Sequence, residues 1–168
     1  MKKSVFIVCI LLFWVVPAFA MKNSPDGFRG IKWGDPVSAL GNKQNIRFEG
    51  QADGFDIYTR TTDKLAFGDV PLEFIIYFFC NDKFVLVGID CKDEYADMIM
   101  RIFKTRFGVP TQPNKYLDEY EWKDGNALIT MKHDKFNKIV SISMSSREQY
   151  NIAMHFLDEC SKTAQSDF

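Results

Sequence analysis

Apolar and polar positions along this chain recur with two different periods, and the switches between them mark its elements. Within Ile46 to Arg60, Phe55, Ile57 and Thr59 alternate with Asp56, Tyr58 and Arg60, a period of two that predicts strand. Leu65 to Phe67 reads as a further short strand. Leu72 to Cys80 and Phe84 to Asp90, separated by Asn81-Asp82-Lys83, read as a hairpin. With Asn81-Asp82 as a two-residue turn, Cys80 faces Lys83, Phe78 faces Val85 and Ile76 faces Val87. One face of this hairpin then carries Phe74, Ile76, Phe78, Cys80, Val85, Val87, Ile89 and Cys91, and the other carries Ile75, Tyr77, Phe79, Phe84 and Leu86. Two apolar faces predict a central hairpin covered on both sides.

From Asp93 to Phe107 the period lengthens. Tyr95, Met98, Ile99, Ile102 and Phe103 fall on one side of a helix, which Gly108 and Pro110 stop. Tyr120 and Trp122 sit in a strand ending at the turn signal Asp124-Gly125, and Ala127 to Lys132 and Ile139 to Met144 read as two more strands. Ser145-Ser146-Arg147-Glu148 has the form of a capping box opening a last helix to about Cys160, with Ile152, Ala153, Phe156, Leu157 and Cys160 as its apolar stripe. Near the start, residues 22–30 form a polar lead-in that delivers Phe28, Ile31 and Trp33 to the fold. Asp35-Pro36 predicts a short helix closed by Gly41, and Trp33, just before it, is expected to be largely buried. Helices following antiparallel strands predict an α+β fold: a two-layer sandwich of an antiparallel sheet with about three helices. Its halves share a β-β-β-α rhythm, a duplication of topology without sequence identity.

The first twenty residues stand apart. Lys2 and Lys3 precede the apolar run Val5 to Val16, and Ala18 and Ala20 supply the small residues of a cleavage site. The run is shorter than the roughly 20 residues that span a bilayer, and Val8 before Cys9 does not suit a lipid-anchor signal. Residues 1–20 are therefore expected to be a removable signal peptide, 21–160 one domain and 161–168 a flexible tail. The mature protein is then periplasmic or secreted, with no membrane span. Removing the signal takes two cations from the 21 Lys and Arg and none of the 22 Asp and Glu. The remaining acidic balance argues against nucleic acid as a partner.

Cys80, Cys91 and Cys160 remain in an oxidising compartment, an odd number that permits one internal bridge. Cys80 lies beside the hairpin turn and Cys91 at the far end of the returning strand, roughly 20 Å or more away, beyond the reach of a disulfide. Cys160 then pairs with Cys80 if the last helix ends near that turn, or with Cys91 if the two long helices run antiparallel.

Candidate chemistry is sparse. His133-Asp134 falls in a turn between late strands, and His155 stands four residues before Glu159 on the last helix. Asp90, Asp93, Glu94 and Asp97 gather at the start of a helix, where acids complement the dipole. The calcium-loop pattern, a zinc-spaced histidine pair, a Gly-x-Ser-x-Gly elbow and a phosphate-cradling loop do not occur, so no metal or cofactor is expected. The compositional excess is aromatic: 15% of residues, among them 16 Phe. If the hairpin face bearing Ile75, Tyr77, Phe79, Phe84 and Leu86 is open, it offers a surface for a peptide, a glycan or a partner protein of the envelope. The competing expectation is that Phe28, Ile31, Trp33 and Leu40 pack over it.

The stretch Phe28-Arg29-Gly30-Ile31-Lys32-Trp33-Gly34 resembles the opening segment of a family of small exported bacterial proteins, mostly proteobacterial, to which no activity is assigned. The likeness continues in Tyr58-Thr59-Arg60, Asp63-Lys64-Leu65, Phe67-Gly68, Ile76-Tyr77-Phe78, Phe107-Gly108 and Tyr120-Glu121-Trp122. It implies one exported domain and brings no catalytic or ligand residues to carry over. The sequence thus points to a non-enzymatic binding or inhibitory module of the cell envelope. The alternatives are a small envelope hydrolase with a dispersed site around the sheet edge that uses carboxylates and His133, or a structural accessory subunit.

Overall fold

The computed structural model describes residues 21–165, with side chains through residue 159. The expected signal peptide, the end of the tail and the Cys160 side chain lie outside the described residues. The polar lead-in is a tight hairpin, β1 (Gly27–Phe28) and β2 (Ile31–Lys32), turning at Arg29-Gly30 with φ of 48° and 83°. A Cβ on Gly27 would collide with the Ile31 carbonyl oxygen, so only glycine lets these strands close. The helix expected after Asp35-Pro36 is a single 3-10 turn, Val37–Leu40. Asp35 turns its carboxylate back to the Lys32 amide, and the Val37 amide is taken instead by Asp82 from the distant hairpin turn. Gly41, at φ 124°, ends the segment before an α-helix can propagate.

The stretch Ile46 to Arg60 is two strands, β3 (Ile46–Ala52) and β4 (Phe55–Arg60), because Asp53-Gly54 adopts positive φ and folds them into a hairpin. A small ribbon follows, β5 (Ala66–Phe67) and β6 (Val70–Pro71), then β7 (Phe74–Cys80) and β8 (Lys83–Lys92). A 3-10 turn over Asp93–Tyr95 leads into α1 (Ala96–Phe107), followed by β9 (Glu119–Lys123), β10 (Ala127–Asp134), β11 (Ile139–Ser146) and α2 (Arg147–Gln165). The fold is α+β. Seven strands form one antiparallel sheet in the order β3-β4-β7-β8-β11-β10-β9. Two α-helices, not three, accompany it among the described residues.

Within β7 and β8 the expected register holds only next to the turn. Cys80 pairs with Lys83 and Phe79 with Phe84, but a bulge then shifts Phe78 onto Leu86 and Tyr77 onto Val87. The cause lies in the chain before β3: the Phe84 amide bonds the Asp35 carbonyl and the Phe84 carbonyl accepts the Gly34 amide, each at 2.8 Å. That segment flanks β8 where its pairing with β11 ends at Leu86. Past the bulge, Val87, Ile89 and Cys91 share a face with Ile75 and Tyr77, not with Ile76 and Phe78 as expected.

That face is the main core. Ile75, Tyr77, Phe79 and Phe84, a partner surface only if that face were open, are 3% exposed or less, and Leu86 lies on the opposite face beside Phe78. Phe28, Ile31 and Leu40 pack over them, as do Ile99 and Phe103 of α1. Trp33 is half-buried, stacked on Phe84 at 4.7 Å with its Nε1 donating to the Pro25 carbonyl. Among the described residues, Trp122 is the enclosed tryptophan, 2% exposed.

On α1 the buried stripe is Ala96, Ile99, Phe103 and Phe107, whereas Met98 is exposed and Ile102 half-buried. On α2, Ala153 packs with Cys80 and Val85, and Leu157 joins it with Phe55 and Leu86, across the other face of the sheet. Ile152 and Phe156, placed in its stripe by periodicity, are exposed. The N-cap is Ser146, whose Oγ accepts the Gln149 amide at 3.2 Å, one residue later than expected. Without Gly or Pro to stop it, α2 continues past Cys160 to Gln165.

Candidate functional site

The charged residues scattered through β1–β2, β4 and the following loop converge on one carboxylate. Asp63 is 3% exposed at its side chain. Its Oδ1 accepts Arg60 Nε at 2.9 Å and Nη2 at 2.6 Å and forms an ion pair with Arg29 Nη1 at 3.3 Å, and its Oδ2 accepts the Tyr77 hydroxyl at 2.6 Å. Burial pushes the Tyr77 phenol well above its ordinary range, and the bond to Asp63 pushes it further. Burial opposes the charge on Arg60, but Asp63 and Tyr77 more than offset it and hold the guanidinium more firmly protonated.

Arg29 is the unusual member. At φ 48° it occupies the left-handed region, which costs an L-residue about 1 kcal/mol that glycine or asparagine would largely avoid. Its side chain spreads over the rings of Phe28 and Phe67, at 5.4 and 6.0 Å from their centroids, and Nη2 donates to the Ala66 carbonyl. The network thus ties the N-terminal hairpin and the β5–β6 ribbon to the centre of the sheet.

Beyond Arg29 opens a cleft of about 550 Å³ between residues 23–29 and the side of α1. Its apolar wall is Phe28, Phe67, Ile102, Phe103, Phe107 and Met144, and its polar positions include Asp26, Arg29 and Arg106. A shallower groove continues along α1 past Met98, Arg101 and Ile102. Here the exposed part of the α1 stripe finds its place: Met98 and Ile102 line an opening instead of filling the core. Volumes of roughly 300–1,000 Å³ with apolar walls and a few polar groups are usual for small-molecule sites.

The sequence-level candidates lie elsewhere. Asp134 is consumed by its turn, accepting the amides of Phe136 and Asn137 and the Asn137 side chain, bonds that hold its carboxyl below the usual range. It forms no dyad with His133, whose Nε2 is buried without a hydrogen-bond partner among the described residues. His155 Nδ1 lies 3.8 Å from Glu159 on the surface of α2. Asp90 lies on the sheet face away from the main core. Burial raises its pKa, against a hydrogen bond from Ser141, while Asp93, Glu94 and Asp97 follow on the turn and first residues of α1. No three His, Cys, Asp or Glu among the described residues come together to hold a metal ion, and no helix there is long and apolar enough to cross a membrane.

Sequence reasoning missed the cleft, although Phe28-Arg29-Gly30, Tyr58-Thr59-Arg60, Asp63 and Tyr77 all carried the resemblance noted above. Their common factor is the Asp63 network. Comparison with protein-family models, curated proteins and solved structures finds no match to this chain.

Proposed function

We propose that this protein is a non-enzymatic binding module and that the cleft beside α1 is its binding site. The observation that carries this reading is an aromatic-walled cleft edged by Arg29, a residue kept in a strained backbone conformation although Arg60 already satisfies the same carboxylate twice over. Tight hairpin turns favour glycine or asparagine at such a position, and Arg29 is a left-handed residue whose side chain edges the cleft.

Export is part of the proposal. Lys2, Lys3, the run Val5 to Val16 and the Ala18/Ala20 pair support a removable signal and a periplasmic or secreted mature protein. With the extra edge strand β3 set aside, β4-β7-β8 and β11-β10-β9 flank the β8–β11 junction with a helix after each of its two strands, which supports reading the domain as two β-β-β-α halves. The Cys80–Cys160 bridge is also retained. Cys80 belongs to the cluster that α2 joins through Ala153, whereas Cys91 is enclosed in the main core on the opposite face.

The test is a fragment screen by ligand-observed NMR, using carboxylates, short peptides and oligosaccharides, on the wild type and on Ile102→Trp, which fills the cleft mouth. Hits that disappear in a folded Ile102→Trp variant support the assignment. Hits that survive it unchanged, or no hits at all, would overturn it.

A further inference from the structure

We infer that the cleft takes an amphiphilic carboxylate, with its apolar body between α1 and the N-terminal hairpin and its head group on Arg106 and Arg29. This rests on the cleft being the binding site, and what it adds is the ligand's chemistry. Charge argues first. Three guanidinium groups, Arg29, Arg60 and Arg106, stand against the carboxylates of Asp63 and Asp26 at and behind the cleft. Asp63 already accepts hydrogen bonds from Arg60 and Tyr77 and pairs with Arg29, so its single negative charge is shared between two guanidinium groups.

Arg106 makes no ion pair among the described residues, and Arg29 makes one only with Asp63. One positive charge is therefore unmatched beside a wall of low polarity, where an incoming anion is screened less than in open water. Arg29 has N–H donors to spare, since only Nη1 and Nη2 are engaged. Its planar fork suits a carboxylate, which can accept two parallel bonds.

The wall decides the rest of the ligand. Phe67 and Ile102, both half-buried, with the edges of Phe28 and Phe107, leave an apolar surface that a small hydrated anion such as acetate would not cover, so affinity requires a body that displaces water from it. An aliphatic chain or aromatic ring meets that need, and a sugar, hydroxylated on every side, does not.

Titration calorimetry with octanoate, octanol and acetate tests this. Octanoate is expected to bind at least ten-fold more tightly than octanol, and acetate only weakly. Arg106→Gln, an exposed position that leaves the Asp63 network intact, should weaken octanoate several-fold and leave octanol unchanged. Arg29→Gln should do the same, its folding checked by the unfolding midpoint. Equal affinity for octanoate and octanol, or octanoate binding indifferent to Arg106→Gln, would overturn the carboxylate assignment and leave the cleft as the binding site. Failure of all three ligands, while other fragments still depend on an open cleft, would also overturn it. Failure of every fragment as well would remove the binding site itself.

Discussion

Asp63 shows how one buried carboxylate can organise distant parts of a chain. Removing its charge leaves Arg29 and Arg60 facing each other at 20% and 16% side-chain exposure, with the Tyr77 hydroxyl short of its acceptor. Breaking a buried pair by deleting one partner typically costs about 3–5 kcal/mol. Because both arginines retain some access to water, Asp63→Asn is expected near the lower end, about 3 kcal/mol, read as a shift in the urea midpoint. Tyr77 gives the pH dependence. Its folded-state pKa is raised, so above pH about 10 the unfolded chain releases the phenolic proton while the native state keeps it. Stability is full below that pH and falls as pH rises further. Tyr77→Phe should flatten this alkaline limb, and an unchanged slope would contradict the assignment. None of this was legible in sequence. Arg60 and Asp63 look like ordinary charges at a strand end, and nothing local shows that a loop will fold over them.

At the level of elements, periodicity located α1, α2 and the strands of the sheet, because each depends on its own residues. It could not locate the bulge in β8, which Gly34 and Asp35 impose from outside the hairpin, and so it put Val87, Ile89 and Cys91 on the wrong face. It also passed over Asp53-Gly54, a turn signal of the same kind as Asp124-Gly125. Gly54, at φ 79°, leaves no room for a Cβ, which would strike the Leu157 side chain on α2. Gly54→Ala should therefore loosen α2 and strain the turn together, costing about 1–2 kcal/mol, with amide exchange accelerated first in α2. The cysteines offer a second check. Burial, reinforced by the charges of Asp90 and Glu73, pushes the Cys91 thiol up to about 11, so it should resist alkylation in the native state. Non-reducing peptide mapping should find Cys80 linked to Cys160, and a linked peptide containing Cys91 would contradict the packing.

For the whole molecule, the N-terminal hairpin has two roles. It closes the main core with Phe28 and Ile31, and with Arg29 it forms one wall of a cleft whose other wall is α1. Fold class and the antiparallel sheet could be read in advance because they follow from local pattern. The cleft could not, because it lies between segments some 75 residues apart, and Met98 and Ile102 look like core until the helix is seated. The most direct test of the central claim is an amide chemical-shift map of the wild-type protein titrated with octanoate. The largest changes are expected on Phe28 to Gly30 and Ile102 to Phe107. Changes centred instead on the opposite sheet face, around Ile76, Ser141 and Ser143, or no changes at saturating octanoate, would contradict it.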